Sequence, residues 1–283
     1  MQLKKIELKF AQTRFDVKLF GALVVLALLL FSSCAVNREH KKWQLVWADE
    51  FDYNGLPNPD KWNYDTLGNS YGWGNNEAQW YTVANPNNVE VKNGILSIIA
   101  RHENYRNKKY TSTRLTTKHK GDWKYGRIDV KAKMPSGNGT WPAIWMLPTD
   151  EVYGEWPNSG EIDIMEHVGS NPDVVLSTSH TKAFNHIIGN QETKNYQLPS
   201  ATTAFHVYTL EWDEQEWRSY VDGNLYFTYK QVNSDSAAWP YDQRFYLILN
   251  MAIGGGLGGT KGIDDSLFPH RFEVDYVRVY KAK

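Results

Sequence analysis

The chain has almost no cysteine and almost no net charge. Cys34 is the single cysteine among 283 residues, so an internal disulfide cannot form and a disulfide-stapled scaffold is excluded. The 31 basic and 32 acidic residues leave a formal net charge of -1, which gives no basic footprint for a nucleic acid. We therefore expect no nucleic-acid partner, and the sequence shows no internal repeat of the kind that builds a solenoid.

A hydrophobic run long enough to span a membrane is also missing near the N-terminus. The apolar run Leu19–Phe31 is shorter than the ~20 residues that a spanning helix needs, and a basic segment precedes it. Ser32, Ser33 and Cys34 follow directly. This order resembles a bacterial lipoprotein signal, in which the cysteine is lipidated and becomes the new N-terminus. The alternative is an ordinary cleaved signal with an incidental cysteine.

This leader sets the expected organisation of the chain. We predict a lipoprotein signal peptide over residues 1–33, a polar tether over 34–42 and one catalytic domain over 43–283. The protein is then exported and lipid-anchored through Cys34 to the bacterial cell envelope, at the outer membrane or the cell surface. We expect a monomer whose contact with the membrane is that anchor.

Aromatic residues are abundant, and the remaining sequence favours strands. The chain has 12 Trp, 17 Tyr and 11 Phe, most of which we expect to fill a β core, while others form flat platforms suited to sugar rings. Short runs of alternating apolar and polar residues, separated by turn residues, predict an antiparallel sandwich or barrel. Asn93-Gly94, Asn138-Gly139 and Asp222-Gly223 are hairpin signals. The clearest runs are Gln44–Phe51, Val89–Ala100, Tyr125–Met134, Ala143–Leu147, Val174–His180, His206–Trp212, Arg218–Val221, Phe245–Ala252 and Phe272–Tyr280.

The run Glu161-Ile-Asp-Ile-Met-Glu166 concentrates three acids in one such strand. Side chains alternate between the faces of a strand, so Glu161 and Asp163 share a face and an unbroken strand would place Glu166 on the apolar side. Burying an isolated carboxylate there is costly. We therefore predict a β-bulge near Ile164–Met165, which returns Glu166 to the acidic face.

Three acids on one face have more than one interpretation. Retaining glycosidases hold two carboxyl groups ~5–5.5 Å apart, one as the nucleophile and one as the acid/base. Like-charged neighbours raise a carboxyl pKa, which keeps an acid protonated. Clustered acids could also bind Ca²⁺, or they could form a solvated face. From the residues alone, catalysis is the leading hypothesis and the other two stay open.

The wider sequence resembles glycoside hydrolase family 16, and in particular its laminarinase-like members, the endo-β-1,3-glucanases. The acidic run is similar to the bulged form of that family's signature. The other matching runs are Leu45-Val-Trp-Ala-Asp-Glu-Phe-Asp52, Gly72-Trp-Gly-Asn-Asn-Glu77, Tyr110-Thr-Ser-Thr-Arg114, Tyr125-Gly-Arg127, Gly139-Thr-Trp-Pro-Ala-Ile-Trp-Met-Leu-Pro148, Leu249-Asn-Met-Ala-Ile-Gly-Gly255 and Val274-Asp-Tyr-Val-Arg-Val-Tyr280. The resemblance implies an all-β fold, a concanavalin A-like jelly-roll sandwich of two curved antiparallel sheets with a concave glycan cleft.

The resemblance also implies roles for individual residues. Glu161 would be the nucleophile, Glu166 the acid/base and Asp163 the assisting acid. The residues that it places in contact with the substrate are Asn75, Arg114, Trp141, Trp145 and His180. It requires no cofactor for catalysis. Many relatives carry a structural Ca²⁺ on the convex side, and the matching positions here are Glu50, the backbone of Gly94, and Asp275. Where laminarinase-like members commonly have Trp in the late glycine-rich loop, this chain has Leu257.

These inferences predict a polysaccharide substrate. The leading hypothesis is retaining endo-hydrolysis of β-1,3-glucan or mixed β-1,3/1,4-glucan by double displacement. The first alternative is endo-hydrolysis of a marine galactan such as agarose or carrageenan. The second is a non-catalytic surface protein that binds glycans, although three crowded carboxylates argue against it. Transglycosylation shares the same covalent intermediate and is left open.

Overall fold

A computed structural model describes residues 42–232 and 234–283. The predicted signal peptide, Cys34 and all but the last residue of the predicted tether lie outside the described residues, so the domain boundaries and the lipid anchor stay predictions. Within the described ranges, no helix is both long enough and apolar enough to cross a membrane.

The regular secondary structure of the described chain is almost entirely β-strand. In chain order the strands are β1 (Trp43–Asp49), β2 (Asn63–Tyr64), β3 (Gln79–Tyr81), β4 (Val89–Lys92), β5 (Ile95–Tyr105), β6 (Lys108–Ser112), β7 (Arg114–Thr116), β8 (Asp122–Trp123), β9 (Gly126–Lys133), β10 (Thr140–Pro148), β11 (Glu161–His167), β12 (Val174–His180), β13 (Glu192–Gln197), β14 (His206–Trp212), β15 (Glu216–Val221), β16 (Asn224–Lys230), β17 (Phe245–Ile253) and β18 (His270–Ala282). The helical segments are the 3-10 turns Asn69–Gly74 and Asp265–Leu267 and one α-helical turn, α1 (Gly255–Gly258).

The strands form two sheets. One has eight strands in the order β13-β12-β11-β10-β17-β7-β2, with β8 paired to β17. The other has ten strands in the order β16-β15-β14-β9-β18-β5-β6-β3, with β1 paired to β18 and β4 to β5. All of these pairs are antiparallel except β3 with β6. This architecture confirms the predicted jelly-roll sandwich.

The core lies between the sheets and follows the alternation that the sequence predicts. On β18, Phe272, Val274, Val277 and Val279 are fully buried, whereas intervening residues such as Asp275 are partly exposed. The interval of three residues between Val274 and Val277 contains a register shift against β9. A bulge at that point keeps the apolar side chains facing inward.

The prediction of a hairpin at Asn138-Gly139 is wrong, because these residues connect β9 of the ten-stranded sheet to β10 of the eight-stranded sheet. The other two predicted hairpins are present. Asp222 and Gly223 connect β15 to β16, and Asn93 and Gly94 connect β4 to β5. All four residues have positive φ, from 48° to 79°. Two consecutive residues of positive φ are the mark of a type I′ turn, whose twist matches that of the flanking strands.

The edge strand β13 is not among the predicted runs, and its composition explains why. Its sequence, Glu-Thr-Lys-Asn-Tyr-Gln, is polar and almost entirely exposed. An edge strand with no buried face has no alternating pattern, so its pairing with β12 supplies what the sequence does not signal.

Candidate active site

The three acids of β11 are brought to one face by a bulge at Ile164. Asp163 lies opposite Trp145 of β10, and Glu166 lies opposite Ala143, so β11 uses one more residue than β10 over the same stretch. Paired residues on neighbouring strands point to the same side of a sheet, and alternate residues of one strand do so as well. The register against β12 shifts at the same place. Asp163 and Glu166 therefore share the outward face of the eight-stranded sheet, as the sequence predicts.

Each glutamate receives a hydrogen bond from a tryptophan indole. Trp141 Nε1 donates to Glu166 Oε1 at 3.0 Å, and Thr178 Oγ1 donates to Glu166 Oε2 at 3.4 Å. Trp156 Nε1 donates to Glu161 Oε2 at 2.7 Å. These donors fix the orientation of the two carboxyl groups and contribute no positive charge.

The two glutamates differ in their exposure. Glu161 is half-buried, whereas Glu166 is buried. Burial raises the pKa of Glu166 to about 7, the charge of Glu161 adds to the rise, and the bonds from Trp141 and Thr178 oppose it. A carboxyl group with such a pKa holds a proton in mildly acidic solution, which is the state that a general acid needs.

Asp163 is the most buried of the three acids. Burial raises the pKa of Asp163 well above its usual range, and the charges of Glu161 and Glu166 raise it further. Its side chain shares a hydrogen bond with that of Glu161. The protonated form of Asp163 can donate that bond, which stabilises an ionised Glu161 beside it.

His180 completes this cluster. It lies opposite Glu161 on β12, and its Nε2 is 3.4 Å from Asp163 Oδ2. Burial lowers the pKa of His180, the charge of Glu161 opposes the shift, and His186 reinforces it. The ring is therefore neutral near pH 7 and brings no positive charge to the acids.

The predicted platforms Trp141 and Trp145 lie on the same outward face of β10 and are partly exposed. Trp141 Nε1 donates to Glu166, and Trp145 Nε1 donates to Asn250 Oδ1 at 2.6 Å. Each ring is thus held through its polar edge while part of its surface stays open. A fixed aromatic surface of this kind suits the apolar face of a sugar ring.

Arg114 and Asn75 lie on the neighbouring side of this face. The Arg114 guanidinium is 4.2 Å from the Trp73 ring and 4.6 Å from the Trp145 ring, and its Nε donates to Asp65 Oδ2 at 3.1 Å. Arg114 is buried and contacts both indoles, and the sugar contact expected of it stays a prediction. Asn75 is half-buried, and its Nδ2 donates to Glu77 Oε1 at 3.4 Å.

Comparison with known proteins agrees with this geometry. The model of the glycosyl hydrolases family 16 matches residues 76–278. A beta-glucanase of Rhodothermus marinus is 53% identical over 246 residues, which cover 84% of this chain and 85% of the relative. The chain belongs to glycosyl hydrolase family 16.

Solved structures agree with this assignment. The laminarinase from Rhodothermus marinus superposes with a TM-score of 0.83 at 51% identity, covering 87% of this chain and 100% of that one. SCLam, a non-specific endo-β-1,3(4)-glucanase from family 16, has a TM-score of 0.82 at 44% identity, covering 85% and 92%. The protein is therefore a glycoside hydrolase, and the recognition made from the sequence motifs is confirmed.

Two residues near the candidate site were not among the predicted site residues. Trp156 comes before the signature and bonds Glu161, and its ring lies 5.1 Å from that of His186. Glu77 is buried beside Asn75. Glu77 is the last residue of the run Gly72–Glu77, which matches the family. That match was the sequence signal that could have identified it. Trp156 lies in a loop with no alternation, where no pattern marks its contact with β11.

The family-derived calcium residues have other partners in this structure. Both carboxylate oxygens of Glu50 accept hydrogen bonds from Arg278 at 2.8 Å, and Asp275 Oδ2 is 2.6 Å from Lys131 Nζ. Gly94 is the second residue of the β4–β5 turn. The pairing of both carboxylates with cations gives no support to a calcium site at these residues, and the structural Ca²⁺ stays an untested prediction.

Proposed function

We propose that this chain hydrolyses β-1,3-glucan, or mixed β-1,3/1,4-glucan, at internal linkages and with retention of configuration. The observation that carries the proposal is the bulge at Ile164, which places Glu161 and Glu166 on one face in different surroundings. Glu161 is partly open and held by an indole N–H, whereas Glu166 is buried with a raised pKa. A nucleophile and an acid need that difference.

The proposed reaction has two steps. The ionised Glu161 attacks the anomeric carbon as the glycosidic C–O bond breaks, and the proton of Glu166 passes to the departing oxygen. Water then attacks the same carbon of the glycosyl ester, Glu166 accepts a proton from that water, and Glu161 is released as a carboxylate. Asp163 donates its hydrogen bond to Glu161 whenever that residue is ionised.

A metal-binding role for the same face is the rival hypothesis. Donor atoms of Glu161, Asp163 and His180 lie within 4.8 Å of one another. An imidazole nitrogen is not a ligand that calcium selects, since this ion takes oxygen ligands. The family assignment and the indole donors to both glutamates favour acid–base chemistry at this cluster.

The names of the relatives support the substrate. The relatives described above are a beta-glucanase, a laminarinase and an endo-β-1,3(4)-glucanase. We therefore propose a β-glucan rather than a galactan, and hydrolysis rather than binding alone.

A panel of polysaccharides tests the proposal. Laminarin, mixed-linkage β-glucan, agarose and carrageenan are incubated with the enzyme, new reducing ends are counted, and products are analysed for size, linkage and anomeric configuration. We expect new β-anomeric ends of intermediate size from the glucans. Turnover of a galactan alone, or binding of every glycan without turnover, would overturn the proposal. Addition of an acceptor sugar separates hydrolysis from transglycosylation.

We also propose that the exported protein is anchored by lipid at Cys34 and acts as a monomer. Metabolic labelling with a fatty acid in a bacterial host tests the anchor, with Cys34→Ser as the matched control. Label that persists in the variant contradicts the anchor. Light scattering of residues 43–283 tests the monomer.

A further inference from the structure

Glu77 is a buried carboxylate beside the glycan-binding face. Its side chain has 5% of its surface exposed, and its backbone bridges Gly254 at the start of the glycine-rich loop. It is not among the three acids of β11, and the proposed reaction does not use it. A buried carboxylate must have partners, and the identity of these partners sets its role.

Every side chain that bonds the Glu77 carboxylate does so as a donor. Gln79 Nε2 donates to Oε2 at 2.6 Å, Tyr81 Oη donates to Oε2 at 3.3 Å, and Asn75 Nδ2 donates to Oε1 at 3.4 Å. Burial raises the pKa of Glu77, whereas these bonds and the nearby charge of Arg114 oppose the rise. With three donors directed at it, the carboxylate acts only as an acceptor.

A chain of hydrogen bonds connects the Glu77 carboxylate to Trp145 in the cleft. The Tyr81 hydroxyl accepts from Asn250 Nδ2 at 2.9 Å while donating to Glu77. Asn250 therefore turns its Oδ1 to Trp145 Nε1, at 2.6 Å. Each amide has a single oxygen, so fixing one end of the chain of bonds fixes the other.

Asn75 is the half-buried member of this network whose backbone lies close to Trp141 of the candidate glycan-binding face. A Cβ placed on Gly255 would lie 3.1 Å from the Asn75 carbonyl oxygen and 3.3 Å from the Trp141 ring, so Asn75 and Trp141 are neighbours across that glycine. Trp141 in turn bonds Glu166. Since the Asn75 amide nitrogen faces Glu77, its Oδ1 points away from that carboxylate and can accept from a ligand.

We propose that Glu77 is a positioning residue that fixes which end of the Asn75 amide faces the cleft. In this orientation Asn75 presents its Oδ1 as an acceptor to a donating sugar hydroxyl. The inference rests on the proposed function, because the ligand it concerns is the β-glucan. It assigns Glu77 no contact with the substrate and no part in the bond-breaking steps.

The isosteric change Glu77→Gln tests polarity without changing size. A glutamine has one accepting oxygen and two N–H groups, so it cannot accept from three donors. The Gln79 amide is fixed from its other end, because Ile253 N donates to its Oε1 at 2.7 Å. Asn75 is then the amide that must turn, exposing its NH₂ to the sugar. We expect oligosaccharide Kd to rise about tenfold, the size of one lost hydrogen bond.

Exchanging the two groups should restore the polarity. Asn75→Asp alone places two carboxylates against each other and is expected to weaken binding as strongly. In the double variant Glu77→Gln with Asn75→Asp, the glutamine NH₂ can donate to the new carboxylate at position 75, whose other oxygen again faces the sugar. We expect the double variant to bind more tightly than either single one. A residue that merely fills space would give additive losses.

The experiment uses calorimetric binding of laminari-oligosaccharides in a Glu161→Ser background, with thermal unfolding of each variant. Glu90→Gln is the matched control, because it removes one carboxylate charge from the ten-stranded sheet, where Glu90 accepts from Arg271 at 2.9 Å. Recovery in the double variant with Glu90→Gln unchanged supports the inference. Unaltered Kd in Glu77→Gln, or additive losses in the double variant, overturns it.

Two further results keep the outcomes apart. Failure of the Glu161→Ser protein to bind any β-glucan while Glu77 is intact counts against the proposed substrate. The orientation of the Asn75 amide is then tested with the same variants on the glycan that does bind. If Glu77→Gln does not fold, Asn75→Asp decides alone, since the Asn75 side chain is half-buried at the rim. Unchanged binding in Asn75→Asp then contradicts the proposed orientation.

Discussion

The outward faces of the two sheets differ in whether their clustered acids are paired with bases. On the ten-stranded sheet, acids and bases alternate across β15, β14 and β9: Glu211 accepts from Arg127 at 3.1 Å and from Arg218 at 3.1 Å. Farther along that sheet, Lys133 is 2.6 Å from Glu273. On the eight-stranded sheet, Glu161, Asp163 and Glu166 form no ion pair with Lys or Arg within the described residues.

The difference shows which face stabilises the fold and which face is arranged for chemistry. On the ten-stranded sheet, ion pairs offset the free-energy cost of removing the charged side chains from water. On the eight-stranded sheet, burial and the charge of Glu161 raise the pKa of Asp163 and of Glu166, and the hydrogen bonds that Glu161 and Glu166 receive come from neutral donors. Uncompensated buried acids cost stability, and such a cost is commonly accepted where activity requires it. The comparison can be broken or sharpened by altering one face at a time.

The largest effect is expected from Glu161→Gln. Removal of the nucleophile should lower kcat by at least about a thousandfold, as loss of a covalent catalyst commonly does. The same change removes a like charge beside Asp163 and Glu166, so the melting temperature should stay equal or rise. Reducing-end assays and thermal unfolding measure the two quantities. A variant that keeps its activity, or that melts well below the wild type, would contradict the contrast between the faces.

A smaller effect is expected from Trp141→Phe, which keeps a ring but removes the donor to Glu166 Oε1. The indole bond favours the ionised carboxylate, so its loss should raise the pKa of Glu166 further. The alkaline limb of the kcat/KM profile should then move to higher pH, and kcat should fall about tenfold. Trp145→Phe is the matched control, since its indole bonds Asn250 instead. An unmoved alkaline limb would count against Glu166 as the acid.

The pH dependence of stability offers a third comparison. The pKa of Glu166 is about 7 in the folded protein, above its usual value of 4.5. A carboxyl group with a raised pKa stabilises the fold fully below pH 4.5, and that contribution is lost as the pH rises through about 7. The melting temperature of the wild type should therefore fall relative to that of Glu166→Gln over this window. Parallel unfolding curves for the two proteins at the two ends of the window would rule the buried acid out as the cause.

Strands with a buried face and the loops between them differ in how far the sequence predicts them. The run Glu161–Glu166 predicts its own bulge, because an unbroken strand would bury Glu166 among apolar side chains. Alternation likewise predicts β12 and β14 over the residue ranges observed. Strand pattern carries no information on loops, however, so the bond from Trp156 to Glu161 and the network around Glu77 depend on tertiary contacts. The edge strand β13 escapes prediction because neither of its faces is buried.

The ten-stranded sheet supplies the smallest expected effect on activity. Glu211 accepts hydrogen bonds from Arg127, Arg218 and Tyr220, so Glu211→Gln leaves two guanidinium groups short of a carboxylate. Arg218 has 7% of its surface exposed, and Glu216 remains to pair with it at 2.9 Å. Because a partner remains, we expect a loss of about 2 kcal/mol in the free energy of unfolding rather than the larger cost of a stranded buried charge. Denaturant unfolding should show this loss, while kcat and KM on glucan stay within about twofold, since the side chain lies on the sheet that carries no catalytic acid. A change in kcat as large as that of Trp141→Phe would mean that the two faces are coupled through the core, and the separation between a stabilising sheet and a chemical one would fail.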